Sequence, residues 1–230
     1  EAIFHAGFLS ILFAAVITTA CAILCPNILH ILSTPENIFD DAYSYLFIIF
    51  LGIPFTILYN FLSGLLRAVG DSKTPFLFLV FSSILNIILD LTFIIVFKLG
   101  VSGAALATIM SQGVSGLLCL IYIIKKFPIL CISKEHCRIK SDMTKQMIAM
   151  GVPMGLQYSI TAIGSMVMQS ANNGLGSTYI SGFTAGMRIK QFLMCPFDAI
   201  ATAASTFCSQ NFGAGNLKRI KEGLKKGVTI

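Results

Sequence analysis

Charge is scarce in this chain. Only 11% of its 230 residues are Asp, Glu, Lys or Arg, against about 25% in an ordinary soluble domain. A soluble protein of this length could not cover its surface with so few. Acids are scarcer still, 10 against 16 bases. Cysteine is present without the pattern of a disulfide framework. Cys21, Cys25, Cys119, Cys131, Cys137, Cys195 and Cys208 are odd in number and scattered in spacing. Five of them sit in apolar runs, where Cys behaves as a small hydrophobe. Cys131, His136 and Cys137 share a loop, but three candidate ligands without a fourth favour an ordinary loop over a metal site. The chain has neither an initiating Met nor a signal peptide. It begins Glu1-Ala2-Ile3-Phe4-His5 and closes on a basic amphipathic stretch, so both ends read as cut from a longer protein.

What fills the chain is hydrophobic residues, 56% of the total. The composition is that of an integral membrane protein. Spanning segments must satisfy their backbone hydrogen bonds internally, so helices are the default. Outer-membrane barrels show short alternating segments, whereas these apolar runs are long and continuous. Six candidate spans approach the ~20 apolar residues that a crossing needs. They cover about Ala6 to Leu32, Ala42 to Leu66, Pro75 to Phe97, Val101 to Ile124, Gln146 to Leu175 and Tyr179 to Gln210. The expected class is all-α, a polytopic transmembrane helical bundle.

Lys and Arg set the orientation. Nearly all of them fall in three connections on one side: 67–75, 125–145 and the tail 211–230. The opposite side holds Lys98 and an acidic connection with Glu36, Asp40 and Asp41. The basic side is expected to be cytoplasmic and the membrane the cell inner membrane. The same bias accounts for the net charge of +6, so no nucleic-acid partner is needed, and solvated loops near anionic lipid suffice. The longest connection, 125–145, divides the chain into a four-span part, 1–124, a cytoplasmic linker and a two-span part, 146–230.

Of the ten acids, only Asp90 and Asp198 fall inside apolar runs. An ionised Asp at a helix centre costs about 2.5–3.5 kcal/mol on insertion scales, and such residues usually face an interior cavity. Asn86, four residues earlier, shares its helix face. Asp90 lies seven residues before Phe97, and Thr108 lies seven after Val101. By that count both sit about 10 Å below the outer surface on adjoining antiparallel helices. Acid, amide and hydroxyl are the oxygen donors that a hard cation prefers. The small residues Gly103, Ala104, Ala105 and Ala107 would let the two helices approach. Asn86, Asp90 and Thr108 are therefore candidate ligands for Na⁺ or H⁺. The alternative is an interhelical hydrogen-bond cluster that only holds the bundle together. No other metal is expected.

Pro54 should kink the second span. Asn60 is a candidate for interhelical packing or for lining a cavity. Gly151 and Gly155 have the spacing of close helix packing. Gln157, Tyr158, Arg188 and Asp198 are further candidates for lining a substrate cavity, with Lys190 beside Arg188 in the sixth span.

Four stretches resemble the multidrug and toxic compound extrusion (MATE) transporters. They are Leu66-Arg67-Ala68-Val69-Gly70-Asp71-Ser72-Lys73-Thr74-Pro75; Asn86-Ile87-Ile88-Leu89-Asp90 with Gly100-Val101-Ser102-Gly103-Ala104-Ala105-Leu106-Ala107-Thr108; Gly151-Val152-Pro153; and Gln210-Asn211-Phe212-Gly213-Ala214-Gly215-Asn216. The resemblance implies twelve helices in two six-helix lobes, of which this partial chain holds helices three to eight. It also implies a partnership with the missing helices. Asn86, Asp90 and Thr108 match the family's N-lobe cation site. Thr161 stands where some branches carry a Glu, so the likeness is to the DNA-damage-inducible-protein-like branch. The implied activity is antiport: H⁺ or Na⁺ enters and an organic, often cationic amphipathic, compound leaves. Such a transporter has no catalytic residue and no cofactor beyond the coupling ion. Its partners are the small organic substrate and the lipid bilayer. The alternatives are a lipid-linked oligosaccharide flippase of the same wider superfamily, with Arg188 and Lys190 on a pyrophosphate, or a membrane anchor that transports nothing.

Overall fold

The computed structural model describes residues 2–31, 34, 36–130, 141–173 and 177–229. Among them every regular element is helical. The helices are α1 (Ala2–Ile31), α2 (Phe39–Leu51), α3 (Ile53–Ala68), α4 (Lys73–Leu91), α5 (Gly100–Lys126), α6 (Ser141–Asn173), α7 (Ser177–Gly213) and α8 (Leu217–Thr229). Six stretches are long and apolar enough to cross a membrane, with α2 and α3 forming one of them. The chain falls into two compact units, Glu1–Thr144 and Lys145–Ile230.

In the first unit α5 is the hub, packing against α2, α3 and α4, while α1 packs on α2 and α3. Its sequence explains the role. Gly103, Ala105, Ala107, Ser111, Gly113, Ser115 and Gly116 are all buried. Without a hydrophobic force between helices in lipid, close approach over small residues supplies the association energy. A Cβ on Gly113 would lie 3.3 Å from Phe55, and one on Gly116 would lie 3.3 Å from Leu58. A Cβ on Gly103 would meet Phe93 Cβ at 3.0 Å. At the C-terminal end of α5 the core closes around Tyr59, Leu62, Leu66, Cys119, Ile123 and Leu130.

The second span does break near Pro54, but the break itself is at Gly52, between α2 and α3. Pro54 occupies the first turn of α3, where its missing N–H leaves no bond unmade. Gly52 is where α5 comes closest, because Ile109 fills the space that a Cβ would take.

A chain of polar contacts closes the turn between α3 and α4. The Asp71 carboxylate accepts the Thr74 N–H at 3.1 Å and the Thr74 hydroxyl at 2.8 Å, in the manner of a helix cap. It also accepts the Tyr122 hydroxyl from α5 at 3.0 Å. Lys126 Nζ donates to that hydroxyl at 2.9 Å. Tyr59 reaches across to the Pro75 carbonyl at 3.1 Å. Partial burial pushes the Asp71 carboxyl up. The bonds from the Thr74 N–H, the Thr74 hydroxyl and the Tyr122 hydroxyl, with the charge of Lys126, outweigh it and hold the group below its ordinary value.

The second unit contains α7 packed on α8. α8 is amphipathic. Gly223 sits against the ring of Phe207, and the Arg219 guanidinium lies 5.8 Å from the centre of that ring. A cavity of 470 Å³ between the two helices is lined by Ile200, Phe207, Cys208, Leu224 and Lys226 among others.

A lowered carboxyl value means the Asp71 contribution is complete above the unfolded value of about 4 and fades as pH falls through the native one. Asp71→Ala should lower stability at pH 7 by about 1 kcal/mol, as for a lost helix cap. The measurement is the thermal unfolding midpoint in detergent across pH 7 to 3. The gap between mutant and parent should shrink toward the acid end, and a gap constant over that range would show that the charge plays no part.

Candidate functional site

Asn86 and Asp90 lie in the C-terminal half of α4, just before the helix widens into a π turn at Thr92–Val96. Single π turns are uncommon and often sit beside functional groups. Here Phe97 N–H reaches the Thr92 carbonyl at 3.1 Å. The chain then reverses through Lys98 at φ +54° and Gly100 at φ +56°.

The face of α4 that bears each residue follows from helical spacing. Leu77, Ile84, Ile87, Ile88 and Leu91 are all more than half exposed and mark its outer side. Asn86 stands about 150° around the helix from that side, and Asp90 stands about 115° from it. On α5 the exposed stripe is Leu106, Met110, Leu117, Ile121 and Ile124. Thr108 stands about 175° away from it and Gln112 about 145° away. All four polar residues are thus on inward-facing halves of their helices.

Two contacts fix the register between α4 and α5. The Ser82 hydroxyl donates to the Ser111 carbonyl at 2.6 Å, and Gly103 lies against Phe93. Stepping from these anchors at 1.5 Å per residue puts Thr108 within about 3 Å of the level of Asn86. The same steps leave it about 3 to 7 Å short of the level of Asp90. Counting equal distances from Phe97 and Val101 had put hydroxyl and acid level. The difference arises because the tight reversal at Lys98 and Gly100 pairs Phe93, and not a residue nearer the turn, with Gly103. Thr108 therefore shares the level of Asn86 without a hydrogen bond to its Nδ2, and Asp90 lies nearer the reversal at Lys98 and Gly100.

The polar atoms at this depth are poorly satisfied. Asp90 Oδ1 and Asn86 Nδ2 are buried without a hydrogen-bond partner. Thr108 donates to the Ala104 carbonyl at 3.0 Å, which leaves its oxygen lone pairs free to accept. Two further buried atoms are unpartnered, Gln112 Oε1 on α5 and Thr18 Oγ1 on α1. Neither was singled out from sequence. Gln112 follows Thr108 by four residues and so shares its face.

The remaining candidates do not join this group. Asn60 is exposed on α3 and donates to the Thr56 carbonyl of its own helix at 2.9 Å. It therefore makes a local bond in place of an interhelical one. Gln157, Tyr158, Arg188, Lys190 and Asp198 are exposed within the second unit. Gly151 and Gly155 have no neighbour within 4 Å of a Cβ position. Cys131, His136 and Cys137 lie outside the described residues. Among the described residues no cluster of His, Cys, Asp and Glu could hold a metal ion. The five described cysteines are free thiols.

A family model described as MatE matches residues 1–92 and 153–230. The chain is 40% identical over 194 residues to a probable multidrug resistance protein, YpnP, of Bacillus subtilis strain 168, covering 84% of this chain and 43% of that one. It is 30% identical over 166 residues to the multidrug export protein MepA of Staphylococcus saprophyticus, covering 72% of this chain and 37% of that one. Among solved structures it superposes on a MOP superfamily transporter from Pyrococcus furiosus with a TM-score of 0.92 at 23% identity, over 100% of this chain and 51% of the other. That protein is described as having a binding pocket of reverse polarity that suggests a different function. A mutant of the Vibrio cholerae MATE transporter VcmN gives a TM-score of 0.87 at 21% identity over 96% of this chain and 51% of the other. These structures share the fold. The chain spans about half the length of the proteins it matches. With its six membrane-length helices and a family model that covers most of its residues, this chain is a multi-pass membrane protein that belongs to the MatE family.

Proposed function

We propose that this chain carries the ion-coupling half of a secondary antiporter in the cell inner membrane, which exports a small organic, often cationic amphipathic, compound against an inward flux of H⁺ or Na⁺. The observation that carries the proposal is the pair of buried, unpartnered groups on α4, Asp90 Oδ1 and Asn86 Nδ2. A polar group shut away from water without a partner is costly, and a carboxylate is the costliest kind. Such an arrangement has a use where the partner is an ion that comes and goes. Thr108 adds an oxygen at the level of Asn86. A carboxylate in this position can hold either a proton or a metal cation, and exchange between them is the elementary step of coupling. The names of the relatives, a probable multidrug resistance protein and a multidrug export protein, support the choice of an organic compound as the exported species.

The two compact units are taken to belong to the two lobes, with the segment between them cytoplasmic. A ligand shifts a conformational equilibrium only through its different affinity for the two states. The cation at Asp90 must therefore favour one arrangement of the lobes and the exported compound the other.

Efflux from energised membrane vesicles tests the mechanism. The full transporter carrying Asp90→Asn should lose gradient-driven efflux by at least about tenfold, the factor that corresponds to 1.4 kcal/mol. Unchanged efflux, still dependent on the gradient, would remove Asp90 from coupling. Orientation has its own test. In a background without other cysteines, Ser72→Cys should resist an impermeant thiol reagent applied to intact cells, and Lys98→Cys should react. The opposite pattern would invert the topology.

A further inference from the structure

Gln112 sits near the middle of α5, the most heavily packed helix of its unit, and the proposed function gives it no task. Its Oε1 is buried and accepts no hydrogen bond. Its backbone carbonyl is taken by the Ser115 hydroxyl at 2.9 Å, so the side chain alone is unsatisfied. The preceding residue, Ser111, anchors α4 through the Ser82 hydroxyl, which fixes this level of α5 against α4. Gln112 lies one turn from Thr108 on the same inward sector, about 6 Å nearer the end of α5 that carries Lys125 and Lys126. That end is the cytoplasmic one in the orientation proposed above.

The buried unpartnered atoms differ in kind. Asp90 Oδ1 and Gln112 Oε1 are both acceptors. No donor reaches either of them, and Thr108 has already spent its proton on Ala104. Two oxygens of this kind, with a third from Thr108 between their levels, form a series of acceptors; the one buried amide donor beside the series, Asn86 Nδ2, bonds none of them. What satisfies such a series is a positive charge or a proton carrier. An apolar compound would leave it unsatisfied, and an anion would be repelled by Asp90.

We propose that Gln112 is a second oxygen station for the driving cation. It would receive the cation from the Asp90 and Thr108 level and pass it toward the cytoplasm. The proposal rests on the reading of Asp90 as the coupling site. If the ion is Na⁺ no covalent step is involved and it exchanges a carboxylate oxygen for an amide oxygen; if it is H⁺, the O–H bond of the acid breaks to a water that takes the proton, and Gln112 Oε1 accepts a hydrogen bond from that water. Because the amide is neutral, it holds the ion less tightly than the acid does, which is what a station on an exit path requires. Gln112 thereby acts on ion occupancy and not on recognition of the exported compound.

The test uses the full transporter in sealed vesicles, driven separately by a Na⁺ gradient at equal pH and by a pH gradient without Na⁺. Whichever gradient drives efflux is then titrated. Gln112→Leu should raise the half-saturating concentration of the driving ion about tenfold and leave the KM for the exported compound within about twofold of the parent. Gln112→Glu, which restores an oxygen of the same reach, should bring the half-saturation back to or below the parental value. An unchanged half-saturation in Gln112→Leu would overturn the proposal, and so would a change confined to the KM for the compound. Loss of function in Leu and Glu forms alike, with the parental elution profile retained, would also count against it. Asp90→Asn measured alongside separates the two readings. If it abolishes coupling while Gln112→Leu titrates like the parent, only the second station fails. If it leaves coupling intact, the coupling site itself has been misplaced.

Discussion

Inside a bilayer a polar side chain cannot fall back on water. The first unit meets that constraint in two ways. Short hydroxyl side chains turn back onto their own helix: Ser10, Ser83, Thr92, Thr108 and Ser115 each donate to a carbonyl three or four residues earlier. Near the turn between α3 and α4, longer groups find partners on other elements. Tyr59 bonds the Pro75 carbonyl, and Tyr122 and Lys126 close on Asp71. Asn86, Asp90 and Gln112 do neither with the atoms in question. Their side chains have more polar atoms than a single backbone carbonyl can serve, and the facing helix offers small apolar residues there. With Thr18 Oγ1 on α1 they are the buried side-chain atoms without a partner among the described residues, and three of the four fall on α4 and α5, where the proposed function puts a ligand.

The hub helix makes those exceptions durable. α5 has a face of Gly, Ala and Ser on which α2, α3 and α4 lie close. Side chains this small lose little conformational freedom on packing. The backbone around Thr108 and Gln112 is therefore held by contacts that owe nothing to the polar atoms. The clasp at Asp71 adds a second restraint at the end of α5 that carries Lys126, and the Ser82 bond to Ser111 adds a third. The unpartnered atoms are thus held in place by the packing of the unit, which is what the proposed coupling by an ion requires.

Much of this was legible in the residues, for reasons that can be named. Long apolar runs bounded by charged turns fix six spans, since lipid leaves a spanning chain few alternatives to the helix. Asp90 stood out because an acid so far from either end of an apolar run is rare. The break in the second span was legible through Pro54, although its position at Gly52 was not. That position depends on Ile109 of another helix. Register was the least legible quantity. Equal counting from the turn assumed a symmetric hairpin of straight α-helix, whereas the π turn and the left-handed residues Lys98 and Gly100 skew it. The capping role of Asp71 needed the approach of Tyr122, which lies 51 positions away. In the second unit residue type nominates Gln157, Tyr158, Arg188 and Asp198, and all are exposed within that unit, as side chains lining a cavity shared with further helices would be.

The contrast between Asp90 and Gln112 bears on how an ion can both bind and leave. A single carboxylate in a low-dielectric setting binds a cation strongly because attraction is little screened there. Strength alone would trap the ion. A neutral oxygen one or two turns away offers a lower-affinity alternative at a small displacement. On the proposed path the ion would move in steps, each small compared with full rehydration. Thr108, whose proton is committed to its own helix, has lone pairs between the two. A carboxylate for capture, a hydroxyl between and an amide for release would then form a graded series of hard oxygen ligands. The order in depth follows from the skewed register of α4 against α5. A symmetric hairpin would have set acid and hydroxyl at one level with Gln112 about 6 Å from both, whereas the skew spreads the three oxygens along the helix axis.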